Sequence, residues 1–187
     1  LVNVLGQNWD FVPENERPAE PGYVSGTLEI GALNLLNYFN TFSGCTNGVG
    51  GLPTDCRGAE NSLEFSRQTA KTVAAIVKMD VDVLGIIEIE NDGYGPESAI
   101  AYLVDQLNAA TAPGTYAFID VDAGTEQINA LGIDAIKVGF LYKPAMVTPV
   151  GKTAALNTEA FVNGGDSEAR NRPALAQAFE EITTGAR

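Results

Sequence analysis

Residues 82–91 read DVLGIIEIEN, and this stretch decides the fold that we expect. Val83 to Ile87 is an unbroken run of apolar residues and glycine, which is typical of a strand covered on both faces. Such strands belong to α/β folds, whose ligands bind beyond the carboxyl ends of the strands. Glu88 interrupts the run at that end, and a buried carboxylate is costly unless it is paired or binds a metal. The pattern predicts a functional carboxylate at Glu88. The alternative is that Glu88 and Glu90 are solvated residues at a strand end.

A second polar interruption occurs upstream, where residues 28–39 read LEIGALNLLNYF. Asparagine is disfavoured in strands, and the amide of Asn34 needs hydrogen-bond partners or a metal. A satisfied structural amide is the alternative interpretation. If Asn34 and Glu88 end neighbouring strands, their oxygen atoms would form a hard site of the kind that accepts Mg²⁺ or Ca²⁺.

Two cysteines flank a glycine-rich loop, in which residues 45–56 read CTNGVGGLPTDC. The even count and the close spacing favour a disulfide between Cys45 and Cys56, which implies an oxidising compartment. Two independent buried thiols are the alternative. A zinc site is not expected, because the chain has no histidine and no third cysteine.

Composition restricts the possible chemistry. The 187 residues suit one domain with a real core, and no apolar run approaches the roughly 18 residues that span a bilayer. Eleven Lys and Arg against 24 Asp and Glu give a net charge of −13, which argues against tight nonspecific nucleic acid binding. The absence of histidine excludes serine–histidine triads and histidine metal sites within this chain.

The order of predicted elements indicates an α/β (α+β) fold with a mixed sheet packed by helices. Strands are predicted near 28–36, 81–89, 115–121, 137–142, 146–150 and 173–179, and helices near 61–79 and from Pro96 onward. Asn61 is the expected cap of the first helix, with Glu64 as its capping-box partner. Residues 1–25, with a short strand near 8–13, are interpreted as the tail of a preceding module and a proline-rich linker, and residues 26–187 as the main domain.

Several motifs in order resemble the endonuclease/exonuclease/phosphatase superfamily of metal-dependent phosphoesterases, and most nearly its large secreted bacterial nucleases. The likeness covers about residues 26–180. It rests on Leu33 to Thr41, Cys56 to Asn61, Ile87 to Gly95, Asp134 to Pro144 and Arg172 to Phe179. The resemblance implies half of a four-layer α/β/β/α sandwich and a chain that is the first part of a catalytic domain.

The resemblance also implies roles for individual residues. Glu88 falls on the family's metal-binding glutamate, for Mg²⁺ or alternatively Ca²⁺ or Mn²⁺, and Asn34 on its first-strand asparagine beside the metal. Arg172, or Arg170 in a shifted alignment, matches an arginine that approaches substrate phosphate. Asp134 lies where the family often carries a polar active-site residue. Ile87 replaces the glutamine that usually precedes the glutamate.

The family's later motifs, which include its catalytic histidines, are absent from residues 1–187. The implied activity is metal-dependent phosphodiester hydrolysis by an extracellular nuclease acting on DNA or RNA, with no membrane partner. The isolated chain is expected to be inactive and to self-associate through exposed apolar sheet surface. The alternatives are a phosphatase, a sphingomyelinase-like phosphodiesterase and a non-catalytic secreted scaffold module.

Overall fold

The structure, a computed structural model, describes residues 12, 14, 18, 19 and 22–187. The strand expected near residues 8–13 lies almost entirely outside the described residues, as does most of the expected linker. Ten elements follow one another in the described part of the chain: β1 (Ile30–Tyr38), α1 (Ser62–Met79), β2 (Val83–Glu90), α2 (Ala99–Ala110), β3 (Ala117–Phe118), α3 (Val121–Thr125), β4 (Ile136–Tyr142), β5 (Val147–Leu156), α4 (Glu159–Asn163) and β6 (Ala174–Glu181).

Four strands form a mixed sheet in the order β1-β2-β4-β3. β1 and β2 are parallel and are joined through α1, as a crossover connection requires. β4 pairs antiparallel with both β2 and β3. The carboxyl ends of β1 and β2 and the start of β4 therefore lie at the same edge of the sheet. The predicted mixed α/β fold is confirmed.

Helices α1 and α2 cover one face of this sheet and build the main core. The core cluster includes Leu35 and Tyr38 of β1, Ile86 and Ile89 of β2, and Ile100 of α2, all of which are buried. Leu103, Val104 and Leu107 of α2 are buried as well and complete the apolar face of this helix. Gly139 of β4 lets α2 approach closely, because a Cβ atom there would lie 3.2 Å from Ile100 Cδ1.

The helix starts follow local capping chemistry. Asn61 caps α1 by accepting the N–H groups of Leu63 and Glu64 at 3.1 and 3.0 Å, as predicted. The Glu64 carboxylate reaches back one residue further than a capping box requires, to the N–H of Glu60. α2 begins at Ala99 after the cap Ser98, so the predicted start at Pro96 is wrong. None of the described helices could span a membrane.

Other boundaries differ from the sequence prediction for physical reasons. The strand expected at 115–121 is only two residues long, since Asp120 caps the short helix α3 instead. Leu63, although apolar, lies 67% exposed in the first turn of α1. The buried positions of that helix are Phe65, Thr69 and Ile76.

A second, two-stranded sheet of β5 and β6 packs on the outer face of β4. The rings of Phe140 and Tyr142 contact Phe179 of β6, with centroids 6.1 and 5.6 Å apart. The outer faces of β1 and β2 are left without this cover, so Ile30 is 71% and Ile87 is 40% exposed. The described residues thus form a helix layer, a four-stranded sheet and a second, two-stranded sheet.

Candidate active site

Both strands that carry the predicted site residues are irregular at the same level. The Cα atoms of Asn34 and Ile87 are partners in the β1–β2 pairing, and the register shifts immediately afterwards in both strands. Leu36 and Asn37 have φ values of 55° and 53°, and Glu88 has a φ of 65°. Bulges of this kind occur near active sites, where they turn a side chain away from the regular alternation.

The bulge in β1 is held by side chains. Oδ1 of Asn34 accepts the N–H of Leu36 at 2.8 Å, a local bond that asparagine makes readily. Nε2 of Gln68 in α1 donates to the carbonyl groups of Leu35 and Leu36 at 3.1 and 3.0 Å. Asn34 is exposed on the outer face of the sheet. Its local hydrogen bond explains how an amide is accommodated in the strand, and the second lone pair of Oδ1 is left for a ligand.

Glu88 and Glu90 have different surroundings although they are two residues apart. Glu88 is half-buried, and the described residues provide no hydrogen bond or ion pair for its carboxylate. Glu90 is buried, and its Oε2 accepts the N–H groups of Asn40 and Thr41 at 3.0 and 3.1 Å. Burial raises the pKa of Glu90, and the hydrogen bonds from Thr41 and Asn40 oppose that shift. Glu90 therefore anchors the segment after β1, and its interpretation as a solvated residue is wrong.

The other two predicted residues, Asp134 and Arg172, form an ion pair at this edge of the sheet. Arg172 Nε lies 3.3 Å from Asp134 Oδ2. Arg57 Nη1 lies 3.3 Å from Asp134 Oδ1, without the geometry of a hydrogen bond. Arg170 instead pairs with Asp166, four residues before it. The structure thus brings Arg172 to Asp134, together with an arginine to which the sequence had assigned no role.

Asn91 fixes the position of Asp134 relative to β2. The buried Asn91 side chain donates from Nδ2 to the carbonyl groups of Gly132 and Asp134 at 3.0 and 2.9 Å. Its N–H bonds to the carbonyl of Ala135 at 2.9 Å. The sequence signal for this role was an amide directly after the carboxylates of β2.

Arg57 is fixed by the disulfide and by a close packing contact. Cys45 and Cys56 form the predicted disulfide. Gly58 follows Arg57, and a Cβ atom at Gly58 would lie 2.4 Å from Cβ of Phe39, so only glycine lets the chain pass so close to the end of β1. The same loop is tied down by Asn129, whose side chain exchanges hydrogen bonds with Val49 N–H and carbonyl at 2.8 and 2.9 Å.

A cleft of about 910 Å³ opens beside this arginine pair. Its walls are the disulfide loop, residues 128–134 and the connection between β5 and β6. Arg57 and Arg172 lie in it with Asp134 and the exposed Glu168, and four asparagine side chains supply amide groups: Asn47, Asn129, Asn157 and Asn171. These polar groups can hydrogen-bond an anionic ligand, and apolar side chains such as Ile128 and Ile133 line the rest of the cleft.

A buried lysine underlies the turn after β2 and was missed by sequence reasoning. Lys137 is 2% exposed, and its Nζ donates to the Gly93 carbonyl at 2.5 Å and lies 3.8 Å from the centre of the Tyr94 ring. Burial lowers the pKa of Lys137 to about 8, although the carboxylates of Asp92 and Asp122 favour its charged form. The signal was a single cation at the start of an apolar strand.

The donor groups at Asn34 and Glu88 fit a divalent ion in their chemistry. One amide oxygen and one unpaired carboxylate are hard oxygen donors, which Mg²⁺, Ca²⁺ and Mn²⁺ prefer. The described residues contain no group of three or more carboxylate, cysteine or histidine side chains that could hold a metal. An ion bound here would therefore keep several water ligands, as Mg²⁺ commonly does.

Comparison with known proteins gives few matches. No family model and no curated protein matches this sequence. One similar solved structure is described as the crystal structure of an endonuclease/exonuclease/phosphatase from Beutenbergia cavernae DSM 12333, with 16% identity and a TM-score of 0.35. The match covers 82% of this chain and 38% of that one. This chain therefore spans well under half of that neighbour, and a likeness of this size assigns no activity.

Proposed function

We propose that this chain supplies the metal-binding and phosphate-positioning part of a site that hydrolyses phosphodiesters, in an extracellular nuclease. Glu88 would hold a divalent ion, Mg²⁺ or alternatively Ca²⁺ or Mn²⁺, with Asn34 beside it. Arg172 would contact substrate phosphate. The order of motifs in the sequence supports the reaction class, and the geometry at the end of β1 and β2 supports the assignment of residues.

The backbone at Glu88 is the observation that carries the proposal. A left-handed conformation costs a residue with a side chain about 1–2 kcal/mol relative to the ordinary regions. Glycine would avoid that cost, yet the chain has glutamate there, near the carboxyl end of β2. Strain of this kind concentrates at functional sites, where the surrounding structure maintains it. A strained residue whose carboxylate has no hydrogen bond or ion pair among the described residues is best explained by a ligand.

The residues of this chain would orient substrate and not move protons. A bound divalent ion would supply positive charge next to the phosphoryl oxygens. Glu88 and Asn34 would fix the position of that charge, and the guanidinium of Arg172 would hold a phosphate oxygen by charge-assisted hydrogen bonds. Since residues 1–187 contain no histidine, a histidine general base would come from outside them. We therefore expect the isolated chain to lack activity.

The disulfide supports a site outside the cytoplasm. Cys45 and Cys56 are bonded, and structural disulfides persist in oxidising compartments. The disulfide loop forms one wall of the cleft, so its integrity and the site are linked. Secretion is therefore part of the proposal.

Plasmid nicking tests the proposal on the protein expressed from the complete gene. We expect Mg²⁺-dependent cleavage that EDTA abolishes and that Glu88→Gln lowers about 100-fold or more. Glu126→Gln is the matched control, because Glu126 has a similar φ of 58° but lies at the end of α3. Cleavage that is unchanged in Glu88→Gln would contradict the proposal.

The same assay separates the alternatives. Hydrolysis of a small phosphoester or of sphingomyelin without DNA or RNA cleavage would replace the nuclease by a phosphatase or a sphingomyelinase-like enzyme. No hydrolysis of any phosphoester would favour a scaffold module.

A further inference from the structure

We propose that Arg57 and Arg172 together form a binding site for a backbone phosphate of a nucleic acid strand, next to the phosphate that is hydrolysed. The substrate class rests on the proposed function. The site itself rests on the contacts, exposure and charge around Asp134, and Arg57 is its new member.

The two arginines share one carboxylate and keep most of their donors. Each guanidinium makes one 3.3 Å contact with Asp134, which is longer than the 2.7–2.9 Å typical of a charge-assisted hydrogen bond. A guanidinium has five N–H donors in a planar fork that matches phosphate oxygens. Among the described residues neither guanidinium has a second acidic partner within 4 Å. The cluster of Arg57, Asp134 and Arg172 thus carries one net positive charge and unused donors. Glu168 adds an opposing negative charge elsewhere in the cleft but forms no ion pair with either arginine.

Exposure allows a ligand to reach these donors. The Arg57 and Arg172 side chains are 43% and 40% exposed, and both line the polar cleft. Their positions are nevertheless constrained. Arg57 follows the disulfide and precedes the tightly packed Gly58, and the backbone of Asp134 is held by Asn91. Arg57 on a constrained backbone, and Arg172 paired with it through the fixed Asp134, are partly preorganised for an anion.

Charge makes the cluster unusual in this protein. The chain carries a net charge of −13, so most of its surface repels nucleic acid. A strand that approaches this surface needs local positive charge where its phosphates contact the protein. The guanidinium pair supplies it at the edge of the sheet that also carries Asn34 and Glu88.

The arginine pair lies close enough to Glu88 for one nucleic acid strand to contact both. Ile87 pairs with Val138 and Ile89 with Lys137, so Glu88 lies level with the start of β4. Asp134 precedes that level by three to four residues, so its Cα atom lies at most about 14 Å from that of Glu88, given the rise of an extended chain and the spacing between neighbouring strands. A single nucleic acid strand can contact both points. Arg57 would therefore hold a phosphate a short distance from the scissile one.

Binding of a short fluorescein-labelled oligodeoxythymidylate in EDTA tests the site without any cleavage. We expect Arg57→Gln to weaken binding by roughly tenfold. It should also reduce the slope of log affinity against log salt concentration by about 0.7, the loss of one single-strand phosphate contact. Arg57→Lys keeps the positive charge but loses the planar guanidinium, so its affinity should lie between those of the unsubstituted protein and Arg57→Gln. Arg67→Gln, the same charge change on the exposed surface of α1, should leave affinity unchanged. Arg57→Gln that melts like the unsubstituted chain yet binds equally well would overturn the proposal.

Two further ligands identify what the site binds. An uncharged methylphosphonate strand should not bind, and Arg57-dependent binding of that strand would overturn the assignment to phosphate. Inorganic phosphate should bind much more weakly than the strand. Equally tight, Arg57-dependent binding of inorganic phosphate would overturn the assignment to nucleic acid.

The outcome is separable from that of the proposed function. If Arg57→Gln weakens strand binding but Glu88→Gln leaves cleavage unchanged, the phosphate site is supported and the proposed role of Glu88 is rejected. If Glu88→Gln abolishes cleavage but Arg57→Gln leaves strand binding unchanged, the proposed function is supported and the phosphate site at Arg57 is rejected.

Discussion

Asn34 and Ile87 are paired across β1 and β2, and Glu88 is the residue inserted directly after that pair. The insertion gives Glu88 a left-handed backbone with a φ of 65° and places its carboxylate one residue beyond the level of the Asn34 amide. This arrangement combines local strain with a carboxylate that has no hydrogen bond or ion pair among the described residues. Both features change in a predictable way on substitution.

Glu88→Gly should stabilise the chain and remove the metal site. Glycine adopts a positive φ without steric cost, so the free energy of unfolding should rise by roughly 0.5–1 kcal/mol. Chemical denaturation measures that change, and the nicking assay on the complete gene product should show loss of activity. Glu126→Gly should give a similar stabilisation with activity retained. If Glu88→Gly were destabilising, the carboxylate would have a structural role.

Removing the disulfide should lower stability and disturb the cleft. Closing the short loop between Cys45 and Cys56 contributes roughly 2–3 kcal/mol in the chain-entropy description. Cys45→Ser with Cys56→Ser should lower the free energy of unfolding by that amount and weaken oligonucleotide binding, because Arg57 follows Cys56. An unchanged denaturation midpoint in the double variant would show that packing alone holds the loop.

Lys137 should make stability rise with pH in the alkaline range. Its pKa is about 8 in the folded chain against an ordinary value of 10.5. Between those values the unfolded chain binds a proton that the folded chain does not, so raising the pH favours folding. This effect should raise the free energy of unfolding by about 3 kcal/mol near pH 10 relative to its value well below pH 8, at 1.36 kcal/mol per pKa unit.

Lys137→Met isolates this effect, because the tyrosines whose pKa values are raised by burial remain in both proteins. Between pH 8 and pH 10 the free energy of unfolding of the unsubstituted protein should therefore rise relative to that of Lys137→Met. A difference that is independent of pH would contradict the assigned burial of the charge.

Asp134→Asn should separate binding from turnover. The carboxylate of Asp134 contacts the guanidiniums of Arg57 and Arg172. In Asp134→Asn both arginines should keep their charge, but their guanidiniums should no longer be aligned. We expect kcat to fall about tenfold while KM does not rise, because removal of a negative charge favours the phosphate. Steady-state kinetics on an oligonucleotide would measure both, and a rise in KM at constant kcat would instead make Asp134 a substrate-binding group.

Much of the fold could be predicted because hydrophobic periodicity and caps act locally. The run ending at Glu88 and the Asn61 cap specify a buried strand and a helix start within a few residues. The missed boundaries depend on which of several local caps is used. Ser98, and not Pro96, sets the start of α2, and Asp120 ends β3 early by capping α3.

The site was partly predictable for the same reason. Asn34 and Glu88 interrupt apolar runs and are visible in the sequence. Arg57 becomes significant only through its contact with Asp134, 77 positions further along the chain. Likewise, the structural role of Glu90 depends on the N–H groups of Asn40 and Thr41, which no local pattern reveals.

Titration of the chain with Mn²⁺, followed by NMR, tests the proposed metal site most directly. Paramagnetic broadening should begin at the side-chain amide of Asn34 and the backbone amides around Glu88. It should disappear from them in Glu88→Gln but persist in Glu126→Gln. Broadening that starts at other carboxylates, or that is identical in Glu88→Gln, would contradict a metal site at the paired ends of β1 and β2.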